Sequence, residues 1–549
     1  MKQERWTSLY PWILAALGLI FYPLFLGSVH LFDWDEINFA ESSREMIVTG
    51  NYFRVMIDYQ PFWEKPPFFF WLQVLSMKIF GINEFAARFP NAVFGVLTLL
   101  TVYRIGKLLR GPLFGFTWGM VYLGAFLPFL YFKSGIIDPV FNYFIFLAVY
   151  FLIRSVYAPE AAAKTRFALF SGLANGMAVL TKGPVGLLLL LLTFFCVWAS
   201  LRFRKIFRLK DPFIFLAGLL AASCLWYLPE LISHGFWFFR EFIRYQAELF
   251  TQPVAGHRQP FYYHFLVVFI GCFPMSVWAL PALFRSHSGE EKIPFRRWML
   301  ALFWVVLILF SIVKTKIVHY SSMSYLPLSY LAATVIFHAV ENRRNLKKGI
   351  IAVFIVMATV FSSLIILLPF FFYHKEKFFR YIRDPFAVDS LSLPVSWTGW
   401  EFMFGFVFLA GAGVAVHGFY RKKTLRSVVV FSITSVVTLT AYLKMVVPRI
   451  EKYTQGPAIE FYESLQGQDV YVNVSGFKSY AYLFYFRQPL YPDHTQKTNK
   501  DWLIDGPTDK PVYFVSKTTE KYLKGFAEVK EIGRKGGFIF YRREPVTGP

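Results

Sequence analysis

Acidic side chains are scarce in this chain, and cysteines scarcer. Its 549 residues hold only 34 Asp and Glu and three cysteines. Cys196, Cys224 and Cys272 each lie inside an apolar run, which argues against a disulfide framework or a cysteine-based zinc site. Charge of either sign is thin, 17% of residues, where a soluble domain carries about a quarter. That excludes a disordered protein, a coiled coil and an ordinary soluble multi-domain enzyme. No Walker loop is present: Thr181-Lys182-Gly183-Pro184 lacks the glycine spacing that cradles phosphates. There is no repeat of fixed period and no low-complexity tract. What remains is apolar bulk, 56% of the chain with 66 phenylalanines and a mean hydropathy of +0.45. That excess must face lipid.

An apolar run at about 9–29 follows a short polar tail. It is long enough to cross about 30 Å of hydrocarbon and has no small-x-small cleavage site, so it reads as a retained first helix. Further spans are expected at about 84–103, 112–131, 137–153, 167–181, 184–201, 212–230, 261–283, 298–313, 321–339, 349–372, 399–419 and 427–446, about thirteen in all. The stretch 167–201 reads as two short helices broken at Lys182-Gly183-Pro184, or as one crossing. With the N-terminus in the cytoplasm, alternate loops are basic in turn, from Arg104, Lys107 and Arg110 to Arg421, Lys422, Lys423 and Arg426. Two helices in 167–201 keep that parity. The net charge of +23 therefore fits a membrane protein without invoking nucleic acid.

The fold class expected is an α-helical polytopic membrane protein, residues 1–449, with a small α/β domain outside the membrane, residues 450–549. The latter has β-like runs at 469–474, 511–515 and 537–541 and a helix-like stretch at 455–465.

The first outer loop, about 31–80, carries acids, aromatics and prolines. Asp33-Trp34-Asp35-Glu36 opens it. The following segment to Gly50 reads as an amphipathic helix in the interface. In the plainer reading Asp33 caps that helix, with Glu36 at the third position. Asp33-x-Asp35 formally matches a nucleotide-sugar DxD, but it stands on the face where nucleotide sugars are not supplied. Glu64-Lys65-Pro66-Pro67 pins a lysine ahead of an aromatic anchor; it is either a lipid-phosphate contact or a snorkelling side chain. Asp138-Pro139 is either a site carboxylate or a helix start. His257-Arg258 and Lys314-Thr315-Lys316 place cations outside, against the positive-inside trend, so an anionic ligand there would explain them. Carboxylates and cations gathered at one membrane boundary suit a lipid-phosphate substrate.

Together these residues resemble the protein O-mannosyltransferase family in the broad sense, and within it the bacterial 4-amino-4-deoxy-L-arabinose lipid A transferases. The likeness rests on Asp35-Glu36, Glu41-x-x-Arg44-Glu45-Met46, Gly50-Asn51-Tyr52, Phe62-Trp63-Glu64-Lys65-Pro66-Pro67 and Trp71-Leu72. It continues at Leu180-Thr181-Lys182-Gly183-Pro184, His257-Arg258-x-Pro260-Phe261, Lys316-x-x-x-Tyr320 and Leu326-Pro327. It covers roughly residues 10–340. It implies a GT-C fold and transfer of a sugar from a polyprenyl phosphate carrier to a lipid, glycan or protein acceptor outside the cytoplasm of a bacterium, at its cytoplasmic membrane.

By the same resemblance Asp35 is the principal catalytic carboxylate and Asp138 a second acid, with Glu36 beside Asp35 as a third candidate. Lys65, Arg258, Lys316 and Tyr320 would bind the carrier phosphate. Glu64 and His257 match positions that bind a divalent cation in relatives; no other cofactor is implied. One departure stands out. The family's Lys-Leu-Pro-x-Tyr run is Lys316-Ile317-Val318-His319-Tyr320 here, without the proline. Two other readings remain: a transporter or flippase of lipid-linked saccharides, and a scaffold presenting the C-terminal domain. A transporter predicts ionisable residues deep in several helices and inverted repeats, neither of which the sequence shows.

Overall fold

Helices occupy every apolar stretch read from the sequence. A computed structural model describes residues 7–252, 258–284 and 294–546. Among the described residues eight helices are long and apolar enough to cross a membrane, from Glu84–Arg110 to the run Thr424–Glu451. Shorter apolar helices accompany them at Tyr10–Phe21, Phe68–Phe80, Val185–Ser200 and Met275–Phe284. The 167–201 stretch is two helices, Ala161–Lys182 and Val185–Ser200. They part at Gly183, whose φ of 100° only glycine adopts freely, and at Pro184.

Three expected spans are interrupted: that at 261–283 is split into Tyr263–Gly271 and Met275–Phe284, and the other two breaks have local chemistry. The first helix stops at Phe21 because the Lys133 ammonium donates to the carbonyls of Phe21, Tyr22 and Leu24, taking up the end of the helix. The stretch at 112–131 becomes Pro112–Leu123 and Phe126–Tyr131. At the break, Ser432 and Ser435 of the helix Thr424–Met445 donate to the carbonyls of Met120 and Gly124. Side-chain hydroxyls thus satisfy backbone groups that lipid cannot.

The helices Ala161–Lys182 and Lys210–His234 pack backbone to backbone. A Cβ on Gly172 would stand 2.0 Å from the Phe215 carbonyl oxygen, and one on Gly176 2.5 Å from that of Leu219. Gly172-x-x-x-Gly176 is thus the close-approach stripe common between membrane helices. Elsewhere apolar surface is left open: Val356, Val360, Leu364 and Leu367 form an exposed row along Lys348–Tyr373, the mark of a lipid-facing side.

The C-terminal segment carries a four-stranded sheet. A two-residue hairpin, β1 (Met56–Ile57) and β2 (Gln60–Pro61), comes earlier in the chain. The sheet then uses β3 (Tyr471–Ser475), β4 (Val512–Lys517), β5 (Val529–Lys535) and β6 (Phe538–Arg543) in the order β3-β4-β6-β5. β3 and β4 pair in parallel; the other pairs are antiparallel. Three strands were expected; β5, Val-Lys-Glu-Ile-Gly-Arg-Lys, is too polar to announce itself. Successive side chains alternate between two cores. Phe514, Ile539 and Tyr541 face Leu503 and Leu523. Val472, Val515 and Phe540 join a cluster with Ile37, Ala40 and Ala87 from the N-terminal part.

That shared cluster changes the reading of the first outer loop. The helix Asp35–Thr49, expected on the membrane surface, is buried from Glu36 to Met46. Its polar side is covered. The Arg44 guanidinium holds both oxygens of Glu41 at 2.6 and 2.7 Å, and donates to the Gln488 carbonyl at 2.9 Å. The amphipathic pattern is real, but its polar face meets protein rather than water.

Candidate active site

Asp35 owes its place to a strained residue before it. Trp34 takes φ 58°, a region few non-glycine residues visit. It is held by Tyr480 at 5.8 Å between ring centroids and by the Lys478 ammonium 5.0 Å from its ring. The helix then begins at Asp35. Asp33 does not cap it; its carboxylate accepts from the Tyr480 backbone N–H. Glu36 does not cap it either. Its carboxylate receives Arg88 at 2.8 and 3.0 Å and the backbone N–H groups of Phe32 and Gly135. Burial alone would raise the Glu36 carboxyl, but Arg88 and these donors hold it below the usual range. With every acceptor site engaged, Glu36 is a buried anchor for the loop; it is absent from the cavity where Asp35 meets Asp138 and Lys182.

That cavity, about 320 Å³, gathers side chains from six stretches of chain. Asp35 comes from the first loop, Glu64 and Lys65 from the turn before Phe68–Phe80, and Asp138 from the start of Asp138–Tyr157. Lys182 ends Ala161–Lys182, Tyr245 belongs to Trp237–Thr251, and His319 and Tyr320 lie on the 3₁₀ turn Val318–Ser324. Asp35 is 38% exposed; Asp138 is 4% exposed. Lys182 Nζ lies 2.5 Å from Asp138 Oδ1 and 5.3 Å from the centre of the Tyr320 ring. His319 Nε2 lies 3.3 Å from Asp35 Oδ2 and 3.9 Å from Asp138 Oδ2. Lys65 Nζ sits 3.6 Å from Glu64 Oε2 and 5.6 Å from the Tyr245 ring. Burial, then the Glu64 carboxylate, push the Tyr245 phenol up, so it enters the site as a neutral donor.

Of the residues singled out by sequence, Asp35, Asp138, Lys65, Tyr320 and Glu64 converge here. Lys316 and Arg258 do not line the cavity. The Lys316 ammonium is drawn instead to the carbonyl of Val313, just past the end of Phe295–Ile312. Arg258 is exposed and pairs by its backbone with Thr315. His257 lies outside the described residues. Glu64 faces an ammonium, and among the described residues no three His, Cys, Asp or Glu are grouped to hold a metal. Lys182, Tyr245 and His319 were not chosen from the sequence. The one signal for Lys182 as a site residue in the sequence is its place in the family-like Thr181-Lys182-Gly183-Pro184 run.

The architecture defines a class: a polytopic helical membrane protein with its candidate site at one end of the helical bundle. The resemblance read from the sequence holds at that level. The family model of dolichyl-phosphate-mannose-protein mannosyltransferases matches residues 64–228. The chain is 29% identical over 377 residues to the undecaprenyl phosphate-alpha-4-amino-4-deoxy-L-arabinose arabinosyl transferase 2 of Proteus mirabilis, covering 67% of each chain. It is 30% identical over 337 residues to the corresponding transferase of Aeromonas salmonicida, covering 59% of this chain and 60% of that one. The match thus spans about two thirds or less of these relatives' length. Among solved structures, ArnT from Cupriavidus metallidurans bound to undecaprenyl phosphate aligns over 99% of both chains with a TM-score of 0.76 at 18% identity. At that identity the likeness is one of fold.

Proposed function

We propose that this chain is an integral membrane glycosyltransferase. It moves a sugar from a polyprenyl phosphate carrier to an acceptor on the far side of a bacterial cytoplasmic membrane. The observation that carries the reading is the cavity itself, where three carboxylates face two ammonium groups and two phenols across a space of ligand size. In the transfer, a bond forms between an acceptor oxygen and the anomeric carbon. The bond from that carbon to the carrier phosphate breaks, and its electron pair leaves with the phosphate. Lys65, Lys182 and Tyr320 are suited to neutralise that leaving group. Asp35 is suited to take a proton from a hydroxyl acceptor; if the acceptor is already a phosphate, it would steady positive charge on the sugar.

The relatives' names make undecaprenyl phosphate-linked 4-amino-4-deoxy-L-arabinose the first donor to try, with lipid A as the first acceptor and glycan or protein acceptors after it. About thirteen crossings, an N-terminus inside and residues 450–549 outside form the topology that goes with this reading. It is supported by the alternation of basic loops. A flippase would have to open its substrate path to both faces. Here the shared walls of the cavity are pinned by ion pairs at one end of the bundle.

The test pairs wild type with Asp35→Asn in detergent, with a panel of polyprenyl phosphate sugars and an envelope acceptor fraction. Donor- and acceptor-dependent release of undecaprenyl phosphate is expected, falling about 100-fold or more in the variant. Carrier binding by both proteins with no release on any acceptor would favour the transporter.

A further inference from the structure

Two cavities meet at one pair of side chains. Beside the first lies a second, more apolar cavity of about 590 Å³, lined in part by Phe25, Phe32, Leu127 and Leu130. The two share Asp35, Ile317 and His319. His319 is 13% exposed and touches both acids, while among the described residues no other side chain pairs with the Asp35 carboxylate. In the 3₁₀ turn Val318–Ser324, neighbouring side chains diverge by about 120°. His319 therefore reaches the carboxylates while Tyr320 lies beneath Lys182.

We propose that His319 is a positioning residue for the transfer. Its Nε2 stands 3.3 Å from Asp35, on the loop, and 3.9 Å from Asp138, which Lys182 fixes in the bundle, and so keeps the Asp35 carboxylate at the junction of the two cavities. The inference rests on the transferase reading above. If the first cavity takes the carrier phosphate and the second the acceptor, that junction is where anomeric carbon and acceptor oxygen must meet. Asp35 alone is half exposed at the start of a helix with no capping bond, and would otherwise sample several rotamers. His319 makes no bond to substrate and moves no group; it places a polar ring nitrogen beside the Asp35 carboxylate at a fixed point. The charged groups around it are Asp35 and Asp138 in front, Lys182 behind Asp138, and His264 and Lys316 from the neighbouring helix and turn.

The test uses the full chain, the carrier-linked sugar that wild type turns over, and undecaprenyl phosphate itself as a binding probe. His319→Phe keeps ring volume and removes the donor; His319→Asn is too short to reach; His319→Gln places an amide N–H near the position of Nε2. The expected result is a kcat about 30- to 100-fold lower for Phe and Asn, with the donor KM within about threefold. Stabilisation by undecaprenyl phosphate should be unchanged, and Gln should recover at least about tenfold of the loss. If His319→Phe fails to fold, the comparison of Asn with Gln carries the same distinction. Wild-type kcat in Phe or Asn, a loss confined to KM, or Gln no better than Asn would each overturn the proposal. A wild type that releases no carrier, matched by Asp35→Asn, would instead remove the transferase reading and this inference with it.

Discussion

Glu45 carries a cost that Arg44 offsets only in part. Arg44 spends its guanidinium on Glu41, on Gln488 and, at longer range, on the Tyr59 hydroxyl. One Glu45 oxygen accepts from the Tyr59 backbone N–H; the other is buried without a partner. Burial first, then the Glu41 charge, raise its carboxyl well above the usual value of 4.5. A raised acid is stabilising while protonated. That contribution is complete below pH 4.5 and declines as pH rises toward the folded value. Glu45→Gln keeps the shape and removes the titration. It should match wild type near pH 4.5 and be the more stable of the two at pH 8, in thermal unfolding followed in detergent. Equal stability at both pH values would mean that Glu45 is solvated in the folded protein.

At the scale of elements, the sequence showed where helices run better than how they touch. The thirteen apolar stretches each contain helix, because hydropathy is a property of the stretch itself. The breaks at Gly124 and after Phe21 were not legible, since Ser432 and Lys133, which satisfy the freed carbonyls, lie far along the chain. Gly172 and Gly176 were passed over for a related reason: their meaning depends on the helix Lys210–His234 lying against them. A side chain at either position meets backbone, which cannot swing aside. Gly172→Val should therefore force these helices apart and lower stability by about 2–4 kcal/mol. Gly413→Val, on another apolar helix where a Cβ meets nothing within 4 Å, should leave stability near that of wild type. Equal unfolding temperatures for the two variants would show that the helices tolerate separation.

The whole molecule hangs together differently from the two-part division that composition suggests. Asp35, Lys65, Asp138 and Tyr320 could be picked out one by one, each as an unexpected charge or a motif match. Their partners could not, because ion pairs such as Lys182 with Asp138 and Arg88 with Glu36 span gaps of tens of residues. The largest such gap separates the first loop from the C-terminal segment. Gln488 accepts from Arg44 and Tyr59; the Tyr485 hydroxyl binds the Leu31 N–H and Glu84; Glu451 meets His30. Tyr480 and Lys478 hold Trp34, the residue that sets the start of the Asp35 helix. Residues 450–549 thus pack against the first outer loop, behind the residues that place Asp35. A chain ending at residue 449 would strip Arg44 and Tyr59 of their Gln488 acceptor and open Ile37, Ala40 and Ala87 to water, a loss of about 3–5 kcal/mol or more. Such a truncation should be unstable and inactive even though every expected span is present. Full-length Arg44→Met, which removes the link but leaves the sheet, should fold with an unfolding temperature between the two. Recovery of a truncated chain that is monodisperse and still transfers sugar would show that the C-terminal segment serves the acceptor and not the fold.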